Sequence, residues 1–345
     1  MVRRNPVKPT MTDVARAANV SQSAVSLVLN DAPGSRISEA TRQKVIRAAH
    51  KLGYELPPPR IRRANTDAVP KTKIAFVVDE ISVSPHSIHH VDGARDAAWS
   101  YDCTLAVHVT RASTQIEAAT LDAIAADPSI AGVVFASSFT RPVDPPALEN
   151  VPVVLLNCHT QADLPRVLPD DAADAAQATQ HLLSQGHRRI AMIRGEKWMD
   201  VAQARLAGYR EALREANVPY DPALVKVGNW SVESGYRRTI PLLALDDPPT
   251  AIYCASDMMA IGCMDAIHDF GRAVPADISL VGHNDIPITS YTHPALTSVR
   301  PANYEMGQRA VELLMGGEDA PLETRIPGEL VQRESVAQFA PKPPS

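Results

Sequence analysis

The chain has 345 residues, of which 45% are hydrophobic and 21% are charged, a composition typical of a globular protein with two or three domains. No run of about 18 apolar residues occurs, and the N-terminus lacks the apolar core of a signal peptide, so we expect a cytoplasmic protein without a membrane partner. The 4 cysteines and 11 histidines do not show the spacing of metal ligands. We therefore expect free thiols, no metal and no other cofactor.

Charge is distributed unevenly along the chain. Residues 1–63 contain 12 Lys and Arg against 4 Asp and Glu, whereas residues 64–345 contain 22 against 35. A small basic segment in front of an acidic body predicts that the N-terminal part alone binds a polyanion such as nucleic acid.

The segment from Thr10 to Asn30, TMTDVARAANVSQSAVSLVLN, predicts two short helices joined by a tight turn. Thr10 is suited to cap the first helix and Ser21 the second, because their hydroxyls can accept from free helix N–H groups. Ser38 opens a third helix, which Gly53 ends. This pattern predicts an all-α helix-turn-helix domain, whose second helix lies in the major groove of DNA.

These residues, together with TRQKVIRAAHKLGY from Thr41 to Tyr54, resemble the signature of the lactose/galactose repressor (LacI/GalR) family of bacterial transcription regulators. The resemblance implies operator DNA as a partner and a homodimer, because two such domains are needed to read a palindromic site. The residues expected to contact DNA are Thr10, Ser21, Gln22, Ser23, Ser26, Leu27, Asn30, Arg36, Tyr54, Arg60, Ile61, Arg62 and Arg63.

Two of these residues carry the expected base readout. Gln22 is suited to pair with adenine, and Ser23 can contact several bases. Leu27 stands where the family often has Arg, so contact with a thymine methyl replaces a guanine contact, unless Leu27 belongs to the domain core. We therefore expect an altered operator base pair.

The segment that follows, ELPPPRIRRANTDAVPKTK, differs from the hinge helix of the family. Three consecutive prolines favour polyproline II, and they permit a helix only after Pro59. Ile61 is the apolar side chain available as a minor-groove wedge. A hinge helix and a semi-rigid basic tether both remain open.

From Lys73 onward, β-branched runs alternate with helical segments, as in KIAFVV, CTLAVHV, IAGVVFA and VPVVLLN. This alternation predicts an α/β body of two lobes with parallel, doubly wound sheets. The resemblance extends over roughly residues 10–338 and implies a periplasmic-binding-protein-like fold. We predict a DNA-binding domain at 1–56, a linker at 57–72 and a body at 73–340, with a first lobe at about 73–170 and 302–325 and a second at about 171–301 and 326–340.

Ligands of such sheets bind beyond the carboxyl ends of the strands. Arg205 offers donors to ligand oxygens and Trp230 a flat face for a sugar ring, although a salt bridge and a core position are the respective alternatives. Asp257 can accept from hydroxyls or serve its own helix. The resemblance and the strand ends together predict these effector-binding residues: Asp79, Ser82, His159, Thr160, Arg205, Trp230, Ser256, Asp257 and Asn284.

The expected function is a ligand-responsive DNA-binding transcription regulator, and we expect a repressor. A solute-binding protein for a transporter would share the body but would not need the basic segment, and no enzyme motif is recognisable, so we expect no catalysis. Asn284 stands where many sugar-binding members have Asp, and with Arg205 it favours a sugar acid over a neutral sugar or polyol. Asp257 and Asp79 argue for the neutral ligand.

Overall fold

The computed structural model describes residues 11–18, 20, 25, 28, 41, 44, 45, 48, 49, 72–82, 85–144, 146, 148, 150–316 and 321–340. All of the predicted DNA contacts lie outside the described residues, as do Pro59 and the rest of the segment 57–71. The chain divides into two compact units, Met1–Val69 and Pro70–Ser345. Each unit is therefore a separate structural domain.

The N-terminal unit begins with helix α1, Met11–Ala18. Further described residues at 25, 28, 41, 44, 45, 48 and 49 are also helical. The apolar side chains of these segments form one buried cluster, against which Val20 packs. The N–H of Val20 donates to the carbonyl of Ala15 at 3.1 Å, which closes the corner after α1. The described part of this unit is an all-α domain whose helices bury a common core.

The first lobe of the larger unit is built on a six-stranded sheet. Its strands are β1 Thr72–Val78, β2 Cys103–Val109, β3 Ile130–Ala136, β4 Val153–Leu156, β5 Arg166–Pro169 and β11 Glu323–Ile326. Its helices are α2 Pro85–Ser100, α3 Thr114–Ala126 and α8 Asn303–Gly316. The strand order is β2-β1-β3-β4-β5-β11, and every neighbouring pair is parallel.

The second lobe repeats this plan. Its strands are β6 Ile190–Arg194, β7 Val225–Val227, β8 Ala251–Cys254, β9 Ser279–His283, β10 Thr297–Arg300 and β12 Glu329–Val331. Its helices are α4 Asp171–Ser184, α5 Asp200–Glu215, α6 Val232–Leu243 and α7 Asp257–Asp269. The strand order is β7-β6-β8-β9-β10-β12, and only β12 runs antiparallel to its neighbour.

The prediction of two parallel-dominated α/β lobes is confirmed. Strands β1, β6 and β9 consist of almost entirely buried residues, as expected where helices cover both faces of a sheet. The chain passes between the lobes three times, from β5 to α4, from β10 to α8 and from β11 to β12. The carboxyl ends of β5 and β10 therefore lie where one lobe meets the other.

No helix within the described ranges is long and apolar enough to cross a membrane. The four cysteines, Cys103, Cys158, Cys254 and Cys263, are buried free thiols. Burial raises the pKa of the Cys158 thiol to about 12, so this group remains protonated at neutral pH.

Candidate ligand-binding cleft

A cavity of about 420 Å³ lies between the two lobes of the larger unit, a size within the range of small-molecule sites. Residues that follow β3 and β4 line it from the first lobe, and residues that follow β6, β7, β8 and β9 line it from the second. Residues that follow β5 and β10 line it where the chain passes from one lobe to the other. The lining residues are Ser138, Phe139, Thr140, Asn157, Pro169, Asp171, Met199, Val201, Arg205, Trp230, Ser256, Met258, Asn284, Pro301 and Asn303.

Arg205 and Asp171 are the charged side chains among the residues that line the cavity, and they pair with each other. Nε and Nη2 of Arg205 each lie 2.8 Å from Oδ1 of Asp171, and Nη1 donates to the carbonyl of Ala255 at 2.6 Å. Both side chains are more than nine-tenths buried. The guanidinium of Arg205 is thus occupied by a buried ion pair, whereas Oδ2 of Asp171 accepts no hydrogen bond from Arg205.

Trp230 is fixed against the second lobe. It adopts a left-handed backbone conformation with φ of 69°, and its Nε1 donates to Sδ of Met199 at 3.1 Å. Its ring lies directly over Gly195, because a Cβ at that position would lie 1.8 Å from Cζ2 of the ring. Trp230 therefore packs against the core of the second lobe and also lines the cavity.

Two asparagines occupy equivalent places in the two sheets. Asn157 follows β4 and Asn284 follows β9, and both have a positive φ, of 56° and 108°, which Asn tolerates better than most residues. Asn157 accepts from Oγ1 of Thr140 at 2.6 Å and donates to the carbonyl of Ser137 at 3.0 Å. The Asn284 carboxamide, in contrast, makes no hydrogen bond to any described residue, so its donors and acceptor are available in the cleft.

Ser256 and Ser138 add hydroxyl groups to the cleft. Oγ of Ser256 caps α7 by accepting from the N–H of Met259 at 3.2 Å, which leaves its own hydroxyl proton to donate. Ser138 lines the opposite wall, where its backbone N–H donates to Asp79 at 2.8 Å. The polar groups that remain for a ligand are thus mostly uncharged.

Asp257 and Asp79, predicted to bind the effector, are not among the residues that line the cavity. Oδ1 of Asp257 accepts from Oγ of Ser298 at 2.6 Å, and Oδ2 accepts from the N–H of Ile286 at 2.9 Å. Burial raises the pKa of Asp257 to about 7. Asp257 thus bonds within its own lobe, to the loop after β9 and to β10. It does not cap its own helix, the alternative that the sequence left open, because Ser256 is the residue that caps α7.

Asp79 has a similar role in the first lobe. It accepts from Oγ of Ser137 at 2.9 Å and from the N–H groups of Ser138 and Glu80 at 2.8 Å each. Nη2 of Arg141 lies 3.3 Å from its Oδ2. This carboxylate orders the loop after β3, and so it acts on the cleft through Ser138.

Ser82, His159 and Thr160 also lie away from the cavity lining. Ser82 is exposed and donates to Glu80 at 2.8 Å. His159 and Thr160 line a separate open pocket of about 560 Å³ in the first lobe. Nε2 of His159 lies 2.8 Å from Oδ2 of Asp200, which belongs to the second lobe. Of the nine predicted residues, the cavity brings together Arg205, Trp230, Ser256 and Asn284.

The sequence reasoning missed most of the first-lobe wall and also Asp171 of the second lobe. Asn157 directly follows the apolar run VVLL and carried the same signal as Asn284, namely a polar residue at the end of a buried strand. Phe139 comes three residues after β3, and Asp171 comes two after β5. For Asp171 no such signal was available, because β5 reads RVLP and lacks the continuous apolar run that marked β4.

Two family models match the chain. The model described as "Bacterial regulatory proteins, lacI family" matches residues 10–56. The model described as "Periplasmic binding protein-like domain" matches residues 179–336. The first match covers the helix-turn-helix segment, and the second covers most of the second lobe.

Similar full-length proteins have related names. The HTH-type transcriptional repressor CytR of Escherichia coli (strain K12) is 32% identical over 317 residues, which cover 91% of this chain and 91% of that protein. A solved structure of "transcriptional regulator CelR-cellobiose complex" is 28% identical with a TM-score of 0.62, covering 95% of this chain and 99% of that one. The lac repressor dimer, bound to operator and the anti-inducer ONPF, is 27% identical with a TM-score of 0.65, covering 96% and 100%.

Proposed function

The chain belongs to the lacI family of bacterial regulatory proteins, which are DNA-binding transcriptional regulators and not enzymes, and from that premise we propose that it is a repressor controlled by a neutral sugar or polyol. It binds a palindromic operator as a homodimer. Effector binding takes place in the cleft between the lobes. The observation that carries the effector class is the cleft itself, in which the two charged side chains pair with each other, and the polar groups left for a ligand, apart from Oδ2 of Asp171, are uncharged.

The polar groups of the cleft favour a neutral ligand over an acid. The guanidinium N–H groups of Arg205 donate to Asp171 and to the carbonyl of Ala255. An anion would therefore have to displace a buried carboxylate that pairs with no other cation among the described residues. Oδ2 of Asp171 would accept a hydroxyl but repel a carboxylate. Asn284 can both donate to hydroxyls and accept from them. The sugar acid favoured by the pairing of Arg205 with Asn284 is therefore the weaker candidate.

The apolar groups of the cleft fit a sugar ring. Trp230 presents a rigid ring from the second lobe, and Phe139 presents one from the first. The apolar C–H faces of a sugar pack on such rings while its hydroxyls bond to groups at the edge. The relative solved with cellobiose supports this ligand class.

Exposed apolar side chains on the first lobe support the homodimer. Trp99, Tyr101 and Val107 are 49%, 42% and 39% exposed, and they lie at the end of α2, in the next turn and on β2. Strand β2 is the edge of its sheet. An exposed apolar patch beside an unpaired strand edge is suited to bury itself against a second copy.

The test is a thermal-shift screen of the full chain with matched sugars, such as galactose and galacturonate, followed by operator retention. A neutral sugar or polyol should raise Tm and change DNA affinity, since a ligand at 100 times Kd stabilises by about 2.7 kcal/mol. Asn284→Gly should weaken this response, whereas the matched control Ser82→Ala, at a predicted residue outside the cleft, should leave it unchanged. A larger response to the acid than to the neutral sugar would overturn the effector class.

DNA binding by the N-terminal unit is tested separately. Deletion of residues 1–63 should abolish operator retention and leave the sugar response intact, because the basic excess lies in that segment. Affinity of the full chain should also fall steeply with salt as phosphate contacts release counterions. Operator affinity that survives the deletion would contradict this assignment.

A further inference from the structure

The segment of residues 195–200, which consists of the loop after β6 and the first residue of α5, contacts the first lobe at two points, and we call it the clasp loop. The rings of Trp198 and Phe139 meet edge to face, with centroids 6.5 Å apart and planes at 82°. Oδ2 of Asp200 lies 2.8 Å from Nε2 of His159. Because Phe139 and His159 belong to the first lobe, both contacts bridge the lobes.

The residue between these two contacts faces the cleft. Met199 lines the cavity, and its Sδ accepts a hydrogen bond from Nε1 of Trp230 at 3.1 Å. Three consecutive residues of the clasp loop thus contact Phe139, Trp230 and His159. One short segment therefore contacts both the first lobe and the Trp230 ring.

These contacts are separable from the folding of either lobe. Trp198 is 68% exposed and Phe139 is 37% exposed, so neither ring is part of the core of its own lobe. The Arg141 guanidinium lies 5.9 Å from the centre of the Phe139 ring and supports it from the first lobe. An edge-to-face contact between two aromatic rings stabilises by about 0.5–1.5 kcal/mol beyond the area that it buries. Here the two rings belong to opposite lobes.

We propose that the clasp loop holds the two lobes closed before any effector binds, and that Trp198 and Asp200 are positioning residues that set the fraction of molecules with a formed cleft. The regulatory role of the clasp loop rests on the effector function proposed above. Apparent affinity for an effector falls in proportion to the fraction of competent molecules. Residues that do not touch the ligand would then tune the concentration at which the regulator responds.

The experiment measures lobe separation without any ligand. Spin labels are placed on exposed positions through Gln115→Cys in the first lobe and Glu233→Cys in the second, since the native cysteines are buried. Pulsed electron resonance of the full chain, mixed with an excess of unlabelled chain so that a dimer carries one labelled protomer, then gives the distance distribution between the lobes. The variants are Trp198→Ala, Asp200→Asn and both together, with Lys197→Ala as a matched control on the same loop and Trp198→Phe as the conservative replacement.

Wild type, Lys197→Ala and Trp198→Phe should give one narrow distribution. The double variant should add a longer distance, with the ratio of open to closed molecules rising a few-fold to about tenfold. Circular dichroism should show that the fold is retained. A double-variant distribution that coincides with that of wild type overturns the proposal. Because no ligand is used, that outcome leaves the effector function standing, and failure of every sugar to bind leaves the clasp standing.

Discussion

The two lobes share one sheet order, yet they build their sides of the cleft differently. The second lobe contributes a buried ion pair between Arg205 and Asp171 and a Trp230 ring seated on Gly195. The first lobe contributes uncharged groups from the loops after β3 and β4, and its own ion pair, Asp79 with Arg141, lies outside the cavity lining. The same sheet order thus supports a wall with a buried ion pair in the second lobe and a wall of uncharged groups in the first.

The largest contrast should appear when the cation of each pair is removed. Arg205→Met leaves Asp171 buried and unpaired, and should cost about 3–5 kcal/mol. Arg141→Met should cost about 1 kcal/mol or less, because Arg141 is one-third exposed. Urea unfolding measures both, and the double variant with Asp171→Asn should recover part of the loss. Equal losses for Arg205→Met and Arg141→Met would remove the distinction between the walls.

The packing of the Trp230 ring on Gly195 can be tested by adding a single methyl group at position 195. Gly195→Ala would place Cβ 1.8 Å from Cζ2 of Trp230, so the ring must move, at a cost of about 1–3 kcal/mol. Gly316→Ala is the matched control, because nothing lies within 4 Å of its added Cβ. Thermal melting and the sugar response should both fall for Gly195→Ala alone. An unchanged sugar response would mean that the ring position does not matter for the ligand.

The second lobe should also respond more strongly to pH. Burial raises the pKa of Asp174 to about 7. The groups that face this carboxyl are Asp170, Asp171, Arg205, the N–H of Gly328, which donates to it, and Nε2 of His283 at 3.9 Å. Between about pH 4 and pH 7 the folded chain retains a proton that the unfolded chain has lost, so stability falls as pH rises through this window.

Asp174→Asn should reduce this pH-dependent loss of unfolding free energy by about 2 kcal/mol. The amide does not titrate, and its oxygen can still accept from the N–H of Gly328. Urea unfolding at pH 5 and pH 7.5 checks it. A variant that loses as much stability as wild type between these values would show that Asp174 does not carry the effect.

The smallest contrast concerns the two equivalent asparagines. Glycine accepts the positive φ at both sites, so Asn157→Gly and Asn284→Gly differ mainly in the bonds that they remove. The carboxamide of Asn157 bonds to Thr140 and Ser137, whereas that of Asn284 bonds to no described residue. Asn157→Gly should therefore be about 1 kcal/mol less stable than Asn284→Gly. Equal melting curves would show that the two sites are alike.

Most of the fold could be predicted from local pattern. Apolar runs such as KIAFVV marked the long strands, and their alternation with helices marked two parallel sheets. Strands β5, RVLP, and β11, ETRI, escaped recognition, because neither forms a continuous apolar run: Arg and Pro flank the two buried residues of β5, and β11 has polar residues at three of its four positions. Their pairing with each other and with β4 is long-range, and a local pattern does not report it.

The sequence by itself determined the family, the basic N-terminal segment, the two α/β lobes and four of the residues in the cleft. The tertiary structure decided which polar groups face a ligand. Asp257 stands at the start of a helix beside the cleft, yet its oxygens bond to Ile286 and Ser298, 29 and 41 residues away in sequence. Asp171 and Arg205, 34 residues apart, neutralise each other. A residue type states which bonds a side chain can make, but the partners that fold against it decide which bonds remain for a ligand.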